Sequence, residues 1–120
     1  MKRSLVLVPL LLMLTGAAMA DTFDVSIGDH FFDPDMITIS VGDRIRWTNN
    51  GSTTHRVLSN DGLWDSGVLN PGQTYTRTFN DAGSFDYYDP LHVQATGTIE
   101  VDGSAIDESS WGWLRYLFSP

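Results

Sequence analysis

The alternation of apolar and polar residues in short segments constrains the fold of this chain more than any other feature of its sequence. Side chains of a β-strand point to opposite faces in turn, so a period of two marks a strand with one buried face. The apolar positions of these segments are Phe23, Val25, Ile27, Ile37, Ile39, Val41, Ile45, Trp47, Tyr75, Phe79, Phe85, Tyr87, Ile99 and Val101. Pairs typical of turns lie between them, namely Gly42-Asp43, Asn50-Gly51, Asp61-Gly62, Pro71-Gly72, Ala82-Gly83 and Asp102-Gly103. Many short strands, with no long helical pattern before residue 104, predict an all-β protein built as an antiparallel β-sandwich.

The first 20 residues have the three parts of a secretory signal peptide. Basic residues occupy positions 2 and 3, residues 5–14 form an apolar run broken only by a proline, and small residues stand at positions 18 and 20. The apolar run is too short to span a bilayer. We therefore expect an exported protein, periplasmic or secreted, whose mature chain starts at Asp21. The alternative is that this run is a buried N-terminal strand.

The charge of the remaining chain is strongly acidic. Residues 21–120 carry five basic residues against fifteen acidic ones, and lysine is absent from them. Such a surface repels nucleic acid and anionic lipid, which argues against a nucleic-acid-binding role, and it attracts basic partner proteins. Solubility, with no partner implied, explains the same charge equally well.

The chain contains no cysteine. This excludes a disulfide framework, a thiolate metal ligand, a cysteine nucleophile and a Cys₄ zinc site. No serine–histidine–acid pattern with a glycine-flanked nucleophile occurs either, and the many carboxylates form no clear catalytic pair. We therefore expect a protein that is not an enzyme.

The sequence changes character after residue 102. A polar stretch is followed by residues 111–118, which include six large apolar or aromatic side chains. The predicted organisation is a signal peptide at 1–20, a β-sandwich domain at 21–102 and a short aromatic C-terminal tail at 103–120. The tail could fold back over the sandwich, lie on a membrane surface or dock on a partner, but it is too short to cross a bilayer.

Two of the three histidines follow predicted strands. His55 comes after the Asn-rich loop 49–54, and His92 lies in the loop that begins at Asp89, after the aromatic strand 85–88. Loops that follow strands often carry function, and a metal site in a sandwich needs ligands from separate loops that converge at one end. A lone histidine is more often a surface or capping residue, and we interpret His30, beside two phenylalanines, in that way.

A series of short motifs covers residues 22–101. They are Phe32-Asp33-Pro34, Ile37-Thr38-Ile39-Ser40-Val41-Gly42-Asp43, Trp47-Thr48-Asn49-Asn50, His55-Arg56-Val57, Asp65-Ser66-Gly67, Pro71-Gly72, Phe79, Gly83-Ser84-Phe85-Asp86-Tyr87-Tyr88, His92 and Gly97-Thr98-Ile99-Glu100-Val101. In order and spacing this series resembles the small cupredoxins, the blue copper family that includes amicyanin, pseudoazurin and plastocyanin. The resemblance implies a Greek-key β-sandwich, a monomer, copper as cofactor, and electron transfer with a redox partner.

The resemblance also implies which residues bind the metal. In that family one histidine ligand follows the Asn-rich loop, and here this residue is His55. The other ligands are a cysteine, a histidine three residues later and a methionine about three further on. The histidine position holds His92, the cysteine position holds Asp89 and the methionine position holds Ala95. The implied metal site is therefore His55, His92 and Asp89, without either sulfur ligand.

Loss of the thiolate changes the chemistry expected of such a site. Blue copper depends on a short copper–thiolate bond in a trigonal centre with a weak axial ligand. Two imidazoles and one carboxylate instead suit a non-blue, tetragonal Cu(II) ion, and Zn(II) with a water ligand is the alternative metal. We expect copper binding, copper handling or slow redox, with a basic redox or copper-handling protein as partner.

Asp89 also has a simpler interpretation. Asp-Pro is an ordinary turn dipeptide, and the aspartate could merely cap a backbone amide of its loop. The two histidines would then be remnants of a lost site. The chain would be a metal-free β-sandwich that serves as an interaction module, with the aromatic tail as its docking element.

Overall fold

The computed structural model describes residues 20–103, and within them the chain forms β-strands and no helix. The strands are β1 (Thr22–Ile27), β2 (Phe32–Asp33), β3 (Met36–Ser40), β4 (Arg44–Asn49), β5 (His55–Ser59), β6 (Asp65–Leu69), β7 (Thr74–Thr78), β8 (Gly83–Asp89) and β9 (His92–Asp102). The prediction of an all-β protein is confirmed. The predicted signal peptide and tail lie, but for Ala20 and Gly103, outside the described residues. Over the described range no helix is long and apolar enough to cross a membrane.

The strands form two sheets packed as a sandwich. One sheet has the order β2-β1-β4-β7, and the other has the order β3-β9-β8-β5-β6. Most neighbouring strands are antiparallel, but β1 pairs with β4, and β3 with β9, in parallel. The prediction of an antiparallel sandwich is therefore right for most neighbouring strands and wrong for these two pairs. Parallel neighbours in a sheet cannot be joined by a tight hairpin and need a crossover connection. The chain makes such a crossing between β3 and β4, which lie in different sheets.

The alternating apolar residues meet between the two sheets. The buried core consists of Val25, Ile27, Phe32, Ile39, Ile45, Trp47, Val57, Trp64, Leu69, Phe79, Tyr87, Ala95, Ile99 and Val101. The ring centre of Trp47 lies 5.3 Å from that of Trp64 and 5.4 Å from that of Tyr87. Burying a large apolar side chain contributes about 1.5–3 kcal/mol, so this core can hold the sheets together without disulfides.

The alternation of apolar residues in the sequence does not mark three of the observed strands, namely β2, β5 and β6. Strand β5 nevertheless buries every second residue in the structure. Two of its three buried side chains, those of His55 and Ser59, are polar, and only Val57 is apolar. The period of two is therefore present in the structure of β5 but hidden in the hydrophobicity of its sequence.

The ends of three neighbouring strands carry the predicted metal ligands. Because β5 and β8 are antiparallel, the start of β5 at His55 lies beside the end of β8 at Asp89. A two-residue turn, Pro90 and Leu91, leads into β9, whose first residue, His92, pairs with Asp89. His92 and Asp89 are thus strand ends, and their assignment to a loop is wrong. All three residues lie at one end of the five-stranded sheet.

Candidate metal centre

A fully buried pair of polar side chains, His55 and Asp89, forms the base of the site. Neither side chain has any solvent exposure, and His55 Nδ1 lies 2.6 Å from Asp89 Oδ2. The opposite ring nitrogen, Nε2, lies 3.1 Å from an oxygen of Asp29. The imidazole of His55 is therefore held between two carboxylates, one on each ring nitrogen, which satisfies the hydrogen-bonding requirement of a buried polar ring.

The carboxylate of Asp89 is oriented by three contacts. Its Oδ1 accepts hydrogen bonds from the backbone N–H of Leu91 at 2.9 Å and of Arg56 at 3.2 Å. Its Oδ2 faces His55 Nδ1. The capping role proposed for Asp89 is therefore real, since it binds the Leu91 amide two residues on. The same side chain also meets His55, so capping does not replace a role in the site.

His92 is the third predicted metal ligand and the least buried of the three. Its side chain is partly buried, and its ring centre lies 4.4 Å from that of His55. The hydroxyl of Thr53 is 3.4 Å from His55 Nε2 and 3.5 Å from His92 Nε2. His30 is exposed, as expected for a surface histidine, although its ring centre is only 6.0 Å from that of His92.

Asp29 is a site residue that the sequence did not identify. It lies between β1 and β2, where its Oδ1 accepts hydrogen bonds from His55 Nε2 and from the Ser52 amide at 2.8 Å. Its Oδ2 accepts the Ser52 hydroxyl at 2.7 Å. The hydrogen bond from the Ser52 side chain, followed by that from His55, holds the pKa of Asp29 well below its usual range. The carboxylate is therefore ionised. A lone aspartate in a turn gives no sequence signal of such a contact.

The loop between β4 and β5 is braced by a buried asparagine. Asn49 Nδ2 donates to the carbonyl oxygens of Thr53 at 2.9 Å and Leu69 at 2.8 Å, and its Oδ1 accepts the Gly51 amide. Gly51 passes so close to the site that an added Cβ would lie 2.9 Å from His55 Nε2. Hydrogen bonds from Asn49 therefore hold the Asn-rich loop in place, and Gly51 of this loop packs closely against His55.

The donor set fits a metal ion. His55, Asp89 and His92 each offer one ligand atom, and these atoms all lie within 4.8 Å of one another. Ligands that bind at about 2 Å and at right angles to each other lie roughly 2.8 Å apart, close to the observed 2.6 Å between His55 Nδ1 and Asp89 Oδ2. Ala95, at the methionine position, is fully buried and offers no ligand atom. Among the described residues this is the group whose spacing suits a metal.

The fold and this donor set define a class of protein, a β-sandwich that brings two histidines and a carboxylate together at one end. Residues 4–101 match the family of the cupredoxin-like domain. The chain therefore belongs to the cupredoxin-like family. The resemblance that the motifs indicate is confirmed, and the absence of cysteine agrees with a replaced ligand.

Individual relatives show how far the similarity extends. Plastocyanin of Tetradesmus obliquus is 33% identical over 75 residues, which are 53% of this chain and 52% of that protein. Amicyanin of Paracoccus versutus is 30% identical over 71 residues, covering 55% of this chain and 54% of that protein. The chain thus spans about half the length of these relatives. The structure of a purple cupredoxin from Nitrosopumilus maritimus aligns with a TM-score of 0.61 at 27% identity, covering 66% of this chain and 98% of the other.

Proposed function

We propose that this protein binds copper at a non-blue centre formed by His55, Asp89 and His92. The observation that carries the proposal is the convergence of these three side chains in a chain that belongs to a copper-binding family. Imidazole nitrogens and a carboxylate oxygen form a donor set suited to Cu(II). Zn(II) accepts the same donors, but the family relationship supports only copper, so zinc serves as the competitor in the test below.

The donor set also decides what kind of copper protein this is. Copper, when bound, supplies a Lewis acid and a one-electron redox couple. The soft thiolate that favours Cu(I) is absent, and the hard carboxylate of Asp89 favours Cu(II). Rapid electron transfer, the role of the family, needs a site that suits both oxidation states equally. We therefore assign to this chain copper binding and handling, or slow redox, with no enzymatic reaction.

Metal binding must displace a proton from the buried pair. One proton occupies the 2.6 Å contact between His55 Nδ1 and Asp89 Oδ2, whichever of the two atoms carries it. A metal ion can bind both atoms only after that proton has left, because metal ligands must be deprotonated. Copper binding should therefore release at least about one proton per ion, in addition to any proton released from His92.

The proposed setting of this function is outside the cytoplasm. The signal-peptide pattern of residues 1–20 supports export to the periplasm or beyond. The acidic excess of the remaining chain supports a basic partner, either a redox protein or a copper-handling protein. A monomer that exchanges copper or electrons through brief encounters is consistent with both features.

The proposal is tested by Cu(II) titration of the purified protein with a competing chelator, in the presence and absence of Zn(II). His55→Ala and His92→Ala should each lower the Cu(II) affinity by more than about 100-fold, since losing a direct ligand costs more than losing an outer partner. His30→Ala is the matched control, because it removes an exposed imidazole whose ring centre lies 6.0 Å from that of His92 but which is not one of the three proposed ligands, and it should leave the affinity unchanged.

Spectra of the loaded protein test the type of site. Electron paramagnetic resonance of the Cu(II) form should show a tetragonal, non-blue ion with nitrogen ligands, and the solution should be nearly colourless. If His55→Ala and His92→Ala bind Cu(II) as well as the parent, the copper lies elsewhere and the site is wrong. A purified protein that ignores added Cu(II) would instead support the metal-free interaction module, in which Asp89 only pairs with His55 and caps its turn.

A further inference from the structure

We propose that Asp29 is a positioning residue that holds the ring of His55 and, through its negative charge, makes the centre prefer Cu(II) to Cu(I). The preference for Cu(II) rests on the copper site proposed above. Asp29 itself is not a ligand of that site, because its carboxylate faces Nε2 of His55, on the side of the ring opposite Asp89.

The contacts of Asp29 leave its carboxylate little freedom. Oδ1 takes the Ser52 amide and the Nε2 proton of His55, while Oδ2 takes the Ser52 hydroxyl. Gly51 makes room for this arrangement, since a side chain there would collide with the carboxylate of Asp29. An ionised carboxylate can only accept hydrogen bonds, so it requires a proton on Nε2 of His55. It thereby turns Nδ1 toward Asp89 and fixes the orientation of the ring.

The charge of Asp29 adds an electrostatic effect to this positioning. His55 and Asp89 are fully buried, whereas the side chain of Asp29 is 36% exposed, so an ion bound to the His55 ring interacts with Asp89 through a medium of low dielectric constant and with Asp29 through a partly screened one. The Coulomb energy is proportional to the charge of the ion, so each carboxylate stabilises Cu(II) twice as much as Cu(I). A carboxylate behind a ligating histidine also raises the basicity of the imidazole, which favours the harder ion.

An isosteric substitution separates charge from geometry. In Asp29→Asn the amide oxygen can replace Oδ1, accepting from Ser52 N and His55 Nε2, while the amide nitrogen can replace Oδ2 and donate to the Ser52 hydroxyl. All three hydrogen bonds are retained and only the charge is lost. Asp33→Asn is the matched control, because it removes the same charge from β2, where Asp33 is exposed and makes no side-chain hydrogen bond with any described residue.

The experiment measures Cu(II) and Cu(I) affinities of these variants by chelator competition. Asp29→Asn should weaken Cu(II) binding by about 10–100-fold, and Cu(I) binding only by about the square root of that factor, roughly 3–10-fold. Asp33→Asn should change both affinities less than about twofold. Equal weakening of the two oxidation states, or an effect no larger than that of Asp33→Asn, would overturn the charge effect.

The positioning role is tested without metal by ¹⁵N nuclear magnetic resonance of the histidine side chains. In the parent and in Asp29→Asn, the Nε2 proton of His55 should exchange slowly with solvent and show a hydrogen bond. In Asp29→Ala that protection should be lost. Unchanged protection in Asp29→Ala would refute positioning by Asp29. Failure of the parent to bind copper would overturn the proposed function together with the Cu(II) preference, and the imidazole spectra would still decide the positioning role.

Discussion

Asp89→Ala and Asp89→Asn both remove the charge of Asp89, but they differ in the contacts that they leave in the buried site. The side chain has no solvent exposure, accepts hydrogen bonds from the Leu91 and Arg56 amides, and lies 2.6 Å from His55 Nδ1. In Asp89→Ala all three contacts disappear and nothing replaces them. In Asp89→Asn the amide oxygen can keep both backbone contacts, and its NH₂ group can donate to Nδ1 of a neutral His55.

The expected cost of Asp89→Ala follows from these contacts. Each hydrogen bond from a backbone amide contributes roughly 0.5–1.5 kcal/mol, and the contact between the two ionisable side chains roughly 1.5–3 kcal/mol. The long contact to Arg56, at 3.2 Å, belongs at the lower end of its range. The free energy of unfolding should therefore fall by about 2.5–5 kcal/mol, close to the loss typical of a broken buried pair. Asp89→Asn should lose only about 1 kcal/mol, because it leaves no buried group unpaired.

Urea denaturation of the metal-free protein, followed by the fluorescence of the buried tryptophans Trp47 and Trp64, measures both values. A chelator keeps adventitious metal out of the comparison. The reasoning is refuted if Asp89→Ala unfolds within about 1 kcal/mol of the parent, or if Asp89→Asn is as destabilised as Asp89→Ala. Both variants should bind Cu(II) far more weakly than the parent, so that Asp89→Asn loses metal affinity while it keeps most of its stability.

Substitutions at Gly51, Tyr87 and Asp89 probe three other features of the structure. Gly51→Ala places a methyl group against the ring of His55, so the free energy of unfolding should fall by about 1–3 kcal/mol and copper binding should weaken. Melting experiments and Cu(II) titration measure these two effects. A variant equal to the parent in both would contradict this packing. Burial raises the pKa of Tyr87 to about 12, above the value of roughly 10 for a tyrosine in the unfolded chain. The contribution of the neutral Tyr87 hydroxyl to the free energy of unfolding is therefore complete below pH 10 and is lost as the pH rises toward 12. Tyr87→Phe should abolish that part of the alkaline loss in melting experiments, and an unchanged profile would assign the loss to other groups. Asp89→Cys, loaded with Cu(II), should turn blue or green. Adding Ala95→Met to this variant should lower its melting temperature, because residue 95 is fully buried. A folded, copper-loaded cysteine variant without visible colour would show that the ligands do not converge.

The sequence by itself determined the two-layer β architecture, because a period of two in short segments leaves each strand with one apolar face to bury. Its motifs resemble those of the cupredoxins, and that resemblance predicted His55, Asp89 and His92 as metal ligands. Asp89 and His92 pair across the tight turn between β8 and β9, where the sequence pattern had predicted a loop. The parallel pairing of β1 with β4, by contrast, depends on which sheet each intervening strand joins, and alternation carries no information about that.

Only the tertiary structure decided which groups surround the buried imidazole of His55. Asp89 lies 34 residues after it and reaches Nδ1 because β5 and β8 are neighbours in one sheet. Asp29 lies 26 residues before it, next to β1, in the other sheet. Its contact with Nε2 therefore spans the two layers of the sandwich and exists only when the sheets are packed. No local pattern can encode such a contact, because it depends on the relative placement of two sheets between which the chain crosses several times.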